Sequence, residues 1–267
     1  MHNVAVNKTC TLSSYFYYTH KPRNPNDNDE YATYHENNTC HAANNGNTST
    51  NYGKGNCIFT HWGDKNPNWT VNLGQSYVIS KITVYARNTT NEYTYNSDHL
   101  KRMRGVMVAI DGGSVYTFDS DVKNIQPDTD IFLSPPRSGQ EIKITRQNQV
   151  DEHYNYLSFC EVQVWVCDDE YYGTNCTTQC GNCKNGDPCD KSSGECPNGC
   201  QPGWSPQQQC DRPCRTGYHG DMCNDKCGRG CATQPCPNYV GCLECDPITG
   251  DCHCRDGWGS VGKCNGE

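Results

Sequence analysis

Aliphatic side chains run out two thirds of the way along this chain. Residues 1–166 hold 26 Ile, Leu and Val, whereas residues 167–267 hold four, Val240, Leu243, Ile248 and Val261. A segment of that length with so little apolar material excludes a conventional hydrophobic core and needs covalent staples instead. Basic residues are also scarce. There are 22 Lys and Arg against 30 Asp and Glu, a net charge of −8. Of these, 14 face 16 in residues 1–166 and 8 face 14 in the remainder, so the two parts carry −2 and −6. The one basic knot, "KRMR" at 101–104, is far short of the cationic stripe that neutralises phosphates, so a nucleic-acid partner is not expected. No run approaches the ~20 apolar residues of a membrane helix. A membrane would be met only through a segment outside this sequence. The opening "MHNVAVNKTC" lacks the basic start and apolar run of a secretory signal. The expectation is a mature fragment, with Met1 added or internal, of a secreted protein or an ectodomain. HExxH, GxSxG and P-loop patterns are missing, and a chain whose 22 cysteines can all pair offers no cysteine nucleophile. An enzyme is not expected.

What the chain does have is cysteine, unevenly placed. Four lie before residue 167 (Cys10, Cys40, Cys57, Cys160), eight between Cys167 and Cys210, and ten between Cys214 and Cys264. Three even groups are what three separately stapled units give, and such density belongs to an oxidising, extracellular compartment. Six Asn-x-Ser/Thr sequons, at Asn7, Asn37, Asn47, Asn68, Asn88 and Asn175, fit a secreted glycoprotein. The expected units are 1–166, 167–210 and 211–267.

The front part alternates apolar and polar residues in "NWTVNL" (68–73), "ITVYAR" (82–87), "GVMVAI" (105–110), "VYTF" (115–118), "EIKIT" (141–145) and "EVQVWV" (161–166). Each is a half-buried strand by its period of two. "DGGS" (111–114) suits a hairpin, and "LGQS" and "SPPRSG" are taken as turns between strands. Short strands with Gly/Pro punctuation and no helical period imply an all-β sandwich or jelly roll. The Asn- and Tyr-rich stretches 13–57 and 87–99 are expected to be surface loops, where binding residues gather on a β scaffold. "YFYY" (15–18) within them offers a stacking platform for sugar or lipid.

The back part repeats a different unit. "CDDEYYGTNC" (167–176), "CQPGWSPQQQC" (200–210), "CRTGYHGDMC" (214–223) and "CRDGWGSVGKC" (254–264) each bracket an aromatic turn with two cysteines. These turns, with "CHCRDGWGSVGKC" at 252–264, resemble EGF-like repeats of the laminin or multiple-EGF receptor type. The resemblance implies Cys180–Cys189, Cys183–Cys196 and Cys200–Cys210 in the first full repeat, and the turn-bracketing Cys167, Cys176, Cys214, Cys223, Cys254 and Cys264 are expected to be disulfide-bonded. Three residues separate Cys196 from Cys200 where EGF units have one, and the second repeat carries two extra cysteines, so the connectivity of 211–267 stays open. Zinc held by "CGNC" (180–183) and "CLEC" (242–245) is the rival explanation, but the intervening loops fit no finger pattern.

"NVAVNKTCTLSSY" (3–15), "NWTVNLGQSYVISKITVYAR" (68–87) and "LSFCEVQVW" (157–165) together resemble a discoidin-like domain of the F-type lectin, or fucolectin, branch, over nearly all of 1–166. The resemblance implies a β-jelly roll of about eight strands with binding loops at one end. F-type lectins grip fucose with a His, an Arg 27 positions on, and a second Arg or Lys soon after. A guanidinium fork donates to adjacent hydroxyls at once, and imidazole adds a directed hydrogen bond. Arg87 and Arg102 match the two cations. His61 is the nearest His, 26 positions before Arg87, and Phe59 or Thr60 can be aligned there equally. Thr89 stands where the family has Asp, its adjacent cysteine pair is missing, and Asn88 places a sequon beside Arg87. The resemblance further implies a structural calcium held by the loop "HAANNGN" (41–47) and the Glu after the late Cys, with Asn45, Asn47 and Glu161 as ligands. It also implies pairing of Cys57 with Cys160 and of Cys10 with Cys40.

The function expected is therefore a secreted or cell-surface, calcium-stabilised, fucose-type carbohydrate-binding protein with an EGF-like stalk. Its partners would be fucosylated glycans or cell-surface glycoproteins. The alternative is an adhesion or scavenger-receptor-like ectodomain whose lectin domain has degenerated and binds protein, or less readily lipid.

Overall fold

The computed structural model describes residues 1–15, 39–50, 56–61, 63–87, 98–146, 156–205, 209–231, 245–257 and 261–264. The chain divides into two compact units, Met1–Val166 and Cys167–Glu267, at the boundary where the aliphatic residues stop. No helix among the described residues is long and apolar enough to cross a membrane.

The first unit is all-β. Its strands are β1 (His2–Asn3), β2 (Cys10–Leu12), β3 (Asn68–Ala86), β4 (Val106–Ile110), β5 (Gly113–Thr117), β6 (Asp128–Arg146) and β7 (Phe159–Val166). They pair antiparallel in the order β1-β7-β3-β6-β4-β5, with β2 also on β3. The two long strands serve both layers of a sandwich. The first half of β3 pairs with β2 and the last third of β6, which continues into β4 and β5. The second half of β3 pairs with β7 and the first part of β6. Trp69, Val71, Ile142, Ile144, Val106 and Val108 from one group meet Ile82, Val84, Ile131, Val162 and Val164 from the other in one buried core. Burial of this set, at ~25 cal/mol per Å² of apolar surface, is what holds the unit together. Trp69 is fully buried, crosses Phe159 edge-on at 5.7 Å, and donates its indole N–H to Cys40 O at 2.9 Å.

Two expected turns are corrected here. "LGQS" and "SPPRSG" lie inside β3 and β6. Asn72 pairs with Glu141 and the next pair is Tyr77 with Gly139, so the extra residues of β3 bulge out while the ladder resumes. Gly74 takes φ +89° at that bulge, a conformation open to glycine. "DGGS" does make the β4–β5 hairpin, with Asp111 and Gly112 both at positive φ between the pair Ile110 and Gly113. β5 begins two residues before the expected "VYTF", and the first part of β6, Asp128–Leu133, is a strand the pattern reading passed over. The loop 41–47 is not wholly on the surface either. Its 3-10 turn Cys40–Ala43 buries Cys40, Ala42 and Ala43 against the sandwich, and Asn44 follows them inside. Tyr15 is exposed, whereas positions 16–18 and 88–97 lie outside the described residues.

The second unit is a string of two-stranded ribbons, β8 (Tyr171–Tyr172) with β9 (Thr178–Gln179), β10 (Tyr218–His219) with β11 (Asp225–Lys226), and β12 (Cys252–His253) with β13 (Val261–Gly262). Disulfides 167–176, 180–189, 183–196, 200–210, 214–223, 227–245, 231–252 and 254–264 staple them. Cys180, Cys183 and Cys245 are thereby unavailable as zinc thiolates. In the two clusters of metal-ligand types, Cys10 with Cys40 and His41, and Cys231 with Cys252 and Cys264, every sulfur is in a disulfide and none is a free thiolate.

Candidate carbohydrate site and calcium loop

The segment Cys57–His61 is fastened to the start of β7 by a covalent bond and a short ladder. Cys57 bonds Cys160, Ile58 N donates to Phe159 O at 2.8 Å, and Thr60 N donates to Leu157 O at 3.0 Å. Thr60 Oγ1 accepts from Leu157 N at 2.8 Å, which places a buried hydroxyl in the same ladder. The last residue of β3, Ala86, pairs with Phe159. Arg87 and residues 59–61 are thus delivered by separate chain segments to one stretch, 156–159, at one end of the sandwich.

Arg102 reaches this place from the 3-10 turn Asp98–Met103. Its guanidinium carbon lies 5.5 Å from the Phe59 ring centre and 5.2 Å from that of Tyr156. The two rings stack on each other at 4.4 Å. A guanidinium within reach of two aromatic rings is drawn to them by cation–π attraction, and half-buried Arg87 follows the end of β3. The three neighbouring residues do different things: Phe59 supplies a ring against Arg102, Thr60 is buried in the ladder, and His61 lines a neighbouring cleft.

That cleft, open and about 590 Å³, is lined by Ser13, Ser14, Tyr15, His61, Gly63, Asp64 and Lys65. His61 Nδ1 accepts from Gly63 N at 3.0 Å, so in the neutral ring Nε2 carries the proton and acts as donor. Asp64 accepts from Ser13 and Ser14 hydroxyls at 2.5 and 2.6 Å. Burial pushes its carboxyl upward, but those bonds, the Asn66 N–H and the nearby His61 prevail and hold it below its ordinary value.

Glu161 lies on the outer face of β7, yet it is fully buried, because the loop after the Cys40–Ala43 turn covers it. Its Oε1 accepts from Gly46 N at 3.0 Å, while Oε2 is buried without a hydrogen-bond partner. Burial pushes this carboxyl up to about 7, against the opposing hydrogen bonds from the Gly46 and Asn45 N–H groups. Asn44, which pattern reading passed over, donates to Ala5 O at 3.0 Å and Lys8 O at 2.8 Å, and its Oδ1 is likewise buried and unpartnered. Asn45 and Asn47 are exposed; their side-chain oxygens accept from Asn47 N at 2.8 Å and Ser49 N at 2.9 Å. Cys10 is bonded to Cys40, anchoring the start of this loop to β2.

Comparison with known proteins places this geometry in context. No family model matches the chain. The angiopoietin-1 receptor of Danio rerio is 38% identical over 81 residues, which is 30% of this chain. The chain spans 6% of the length of that receptor. Among solved structures, a fucose-binding module of Streptococcus pneumoniae is 21% identical, with 63% of this chain and 100% of that one covered and a TM-score of 0.44. The lectin domain of lectinolysin, complexed with Lewis B antigen, is 19% identical over 62% and 96% of the two chains, TM-score 0.44. A fucolectin from striped bass (Morone saxatilis) serum is 20% identical over 61% and 46%, again with a TM-score of 0.44.

Proposed function

We propose that this protein is an extracellular carbohydrate-binding protein of the F-type lectin kind, whose first unit takes a fucosylated glycan and whose EGF-like second unit holds that unit away from its attachment. One observation carries the reading. Residues 59–61, 87, 102 and 156, dispersed over the sequence, are brought to one end of the sandwich, with a guanidinium laid on two stacked rings. Arg87 and Arg102 would donate to vicinal hydroxyls and the ring oxygen, and the buried Phe59–Tyr156 pair would back the Arg102 guanidinium from the protein side. The solved fucose-binding modules with which the chain aligns are consistent with this assignment, and the disulfides accord with an oxidising compartment.

Calcium fits the loop beneath. A wholly enclosed carboxylate with one oxygen unsatisfied is costly unless a cation compensates it. Glu161 Oε2 and Asn44 Oδ1 supply two such oxygens, and Asn45, Asn47 and backbone carbonyls of the loop can complete a hard-oxygen shell. A bound calcium would fix the 44–47 loop onto β7, and through Cys160 the 57–61 segment.

The test is binding of the full chain to a glycan array, with calcium and with chelator. Calcium-dependent retention of fucosylated glycans supports the reading. A folded, calcium-loaded protein that retains no glycan would favour the second reading, a receptor ectodomain that recognises protein, to which the local likeness to a receptor lends weight.

A further inference from the structure

Arg146 ends β6 with its side chain inside the protein, 1% exposed. Its fork is spent on main chain: Nη1 donates to Arg104 O at 2.7 Å and Nη2 to Arg102 O. No carboxylate accepts from it among the described residues, its Nε is buried without a partner, and burial, with repulsion from Arg104, lowers its pKa to about 10. Burying a guanidinium this way is unfavourable in itself, and an apolar side chain at a strand end would be the simpler solution. What it achieves is specific. The two carbonyls it bridges are those of Arg102, within the Asp98–Met103 turn, and of Arg104 just past it, and the Arg102 guanidinium lies against Phe59 and Tyr156.

We propose that Arg146 is a positioning residue: it fixes the backbone of residues 102–104 so that Arg102 is presented, already oriented, to the glycan. This rests on the proposed function for its ligand, but not for its geometry. The Arg102 side chain is then held at both ends, at its own carbonyl by a buried fork and at its head by two rings. Preorganised donors of this sort bind more tightly than mobile ones, because the ordering entropy is already spent. A lysine at 146 would keep the charge but could not span both carbonyls.

The experiment uses the full chain in two parts. In the ligand-free protein, the Arg102 Nε–Hε signal is followed by NMR in wild type, Arg146→Met and Arg146→Lys; a folded Arg146→Lys suffices where the Met variant fails to fold. Affinity for a methyl α-fucoside probe is then measured in a cycle of Arg102→Ala, Arg146→Lys and the double variant. Positioning predicts that the Arg102 signal broadens and exchanges faster, that Arg146→Lys weakens binding about tenfold, and that it adds nothing once Arg102 is Ala. An equal loss in both backgrounds, or an Arg102 signal untouched by either substitution, would overturn it. If wild type binds no fucoside, the proposed ligand is wrong, and the NMR signal alone decides the role of Arg146.

Discussion

Glu161 is the residue on which the loop chemistry turns, and its titration makes the calcium proposal testable. Its carboxyl titrates at about 7 in the fold and near 4.5 unperturbed. Because the raised value belongs to the folded state, the folded protein holds more protons than the unfolded one between those two values. Stability in chelator must therefore fall as pH rises from about 4.5 to about 7, by about 3 kcal/mol, and level off above. Calcium should counter that loss at neutral pH by binding the ionised form. Glu161→Gln should flatten the slope and remove the calcium response, both read from denaturant midpoints across pH. A residue that instead showed the same slope after Glu161→Gln would place the titration elsewhere. Trp69 sets the other residue-scale expectation: Trp69→Ala removes a fully buried ring and its bond to Cys40 O, and should destabilise the first unit by about 3–5 kcal/mol in chemical unfolding.

Among the elements, the segment 57–61 is the one that joins scaffold to site. It has no strand of its own; its place is set by two backbone bonds, the Thr60 hydroxyl and the disulfide to Cys160 across 103 positions. Cys57→Ser with Cys160→Ser should lower stability by about 2–5 kcal/mol. Glycan affinity should fall further than the remaining folded fraction explains, because Phe59 loses its station under Arg102. The measurement is affinity corrected for folded fraction at a temperature where circular dichroism shows the sandwich intact. This is also the scale at which sequence pattern and structure part. The strands around Ile82–Val84, Val106–Ile110 and Val162–Val166 are legible because each alternates cleanly over one buried face. "LGQS" and "SPPRSG" misled because Gly and Pro serve a bulge as readily as a chain reversal, and only the partner strand decides which. Arg146 was illegible for a related reason. A charged residue after "EIKIT" is expected to be solvated, and only the tertiary placement of residues 102–104 gives it two carbonyls to hold. Phe59 and Tyr156, 97 positions apart, carry no mutual signal in the chain. Arg87, by contrast, stands just past a strand end that the pattern does mark, and Arg102 lies in the turn ahead of the marked strand β4.

At the scale of the whole molecule, two stabilising strategies meet at Val166 and Cys167. The first unit buries Trp69, Phe159 and a continuous aliphatic core and carries two disulfides. The second buries mainly sulfur: its one described cluster is Cys231, Cys245 and Cys264 with their neighbours. Mild thiol reduction should therefore unfold the second unit first, with amide protection lost at residues 167–264 while β3, β6 and β7 still exchange slowly. Simultaneous loss across both units would mean that the sandwich depends on its own disulfides as heavily as the second unit does. The local pairs of the second unit, nine to thirteen positions apart, follow the repeat pattern, whereas Cys227–Cys245 and Cys231–Cys252 could not be chosen among ten cysteines by pattern alone.

The most direct measurement is a titration of the calcium-loaded full chain with methyl α-fucoside, followed residue by residue in 1H–15N NMR spectra. A glycan site at the end of the sandwich predicts saturable shifts confined to residues 58–61, 87, 101–104 and 156–158, abolished by Arg102→Ala. Saturable shifts elsewhere, or none at all in a protein whose spectrum shows the 44–47 loop ordered by calcium, would contradict it.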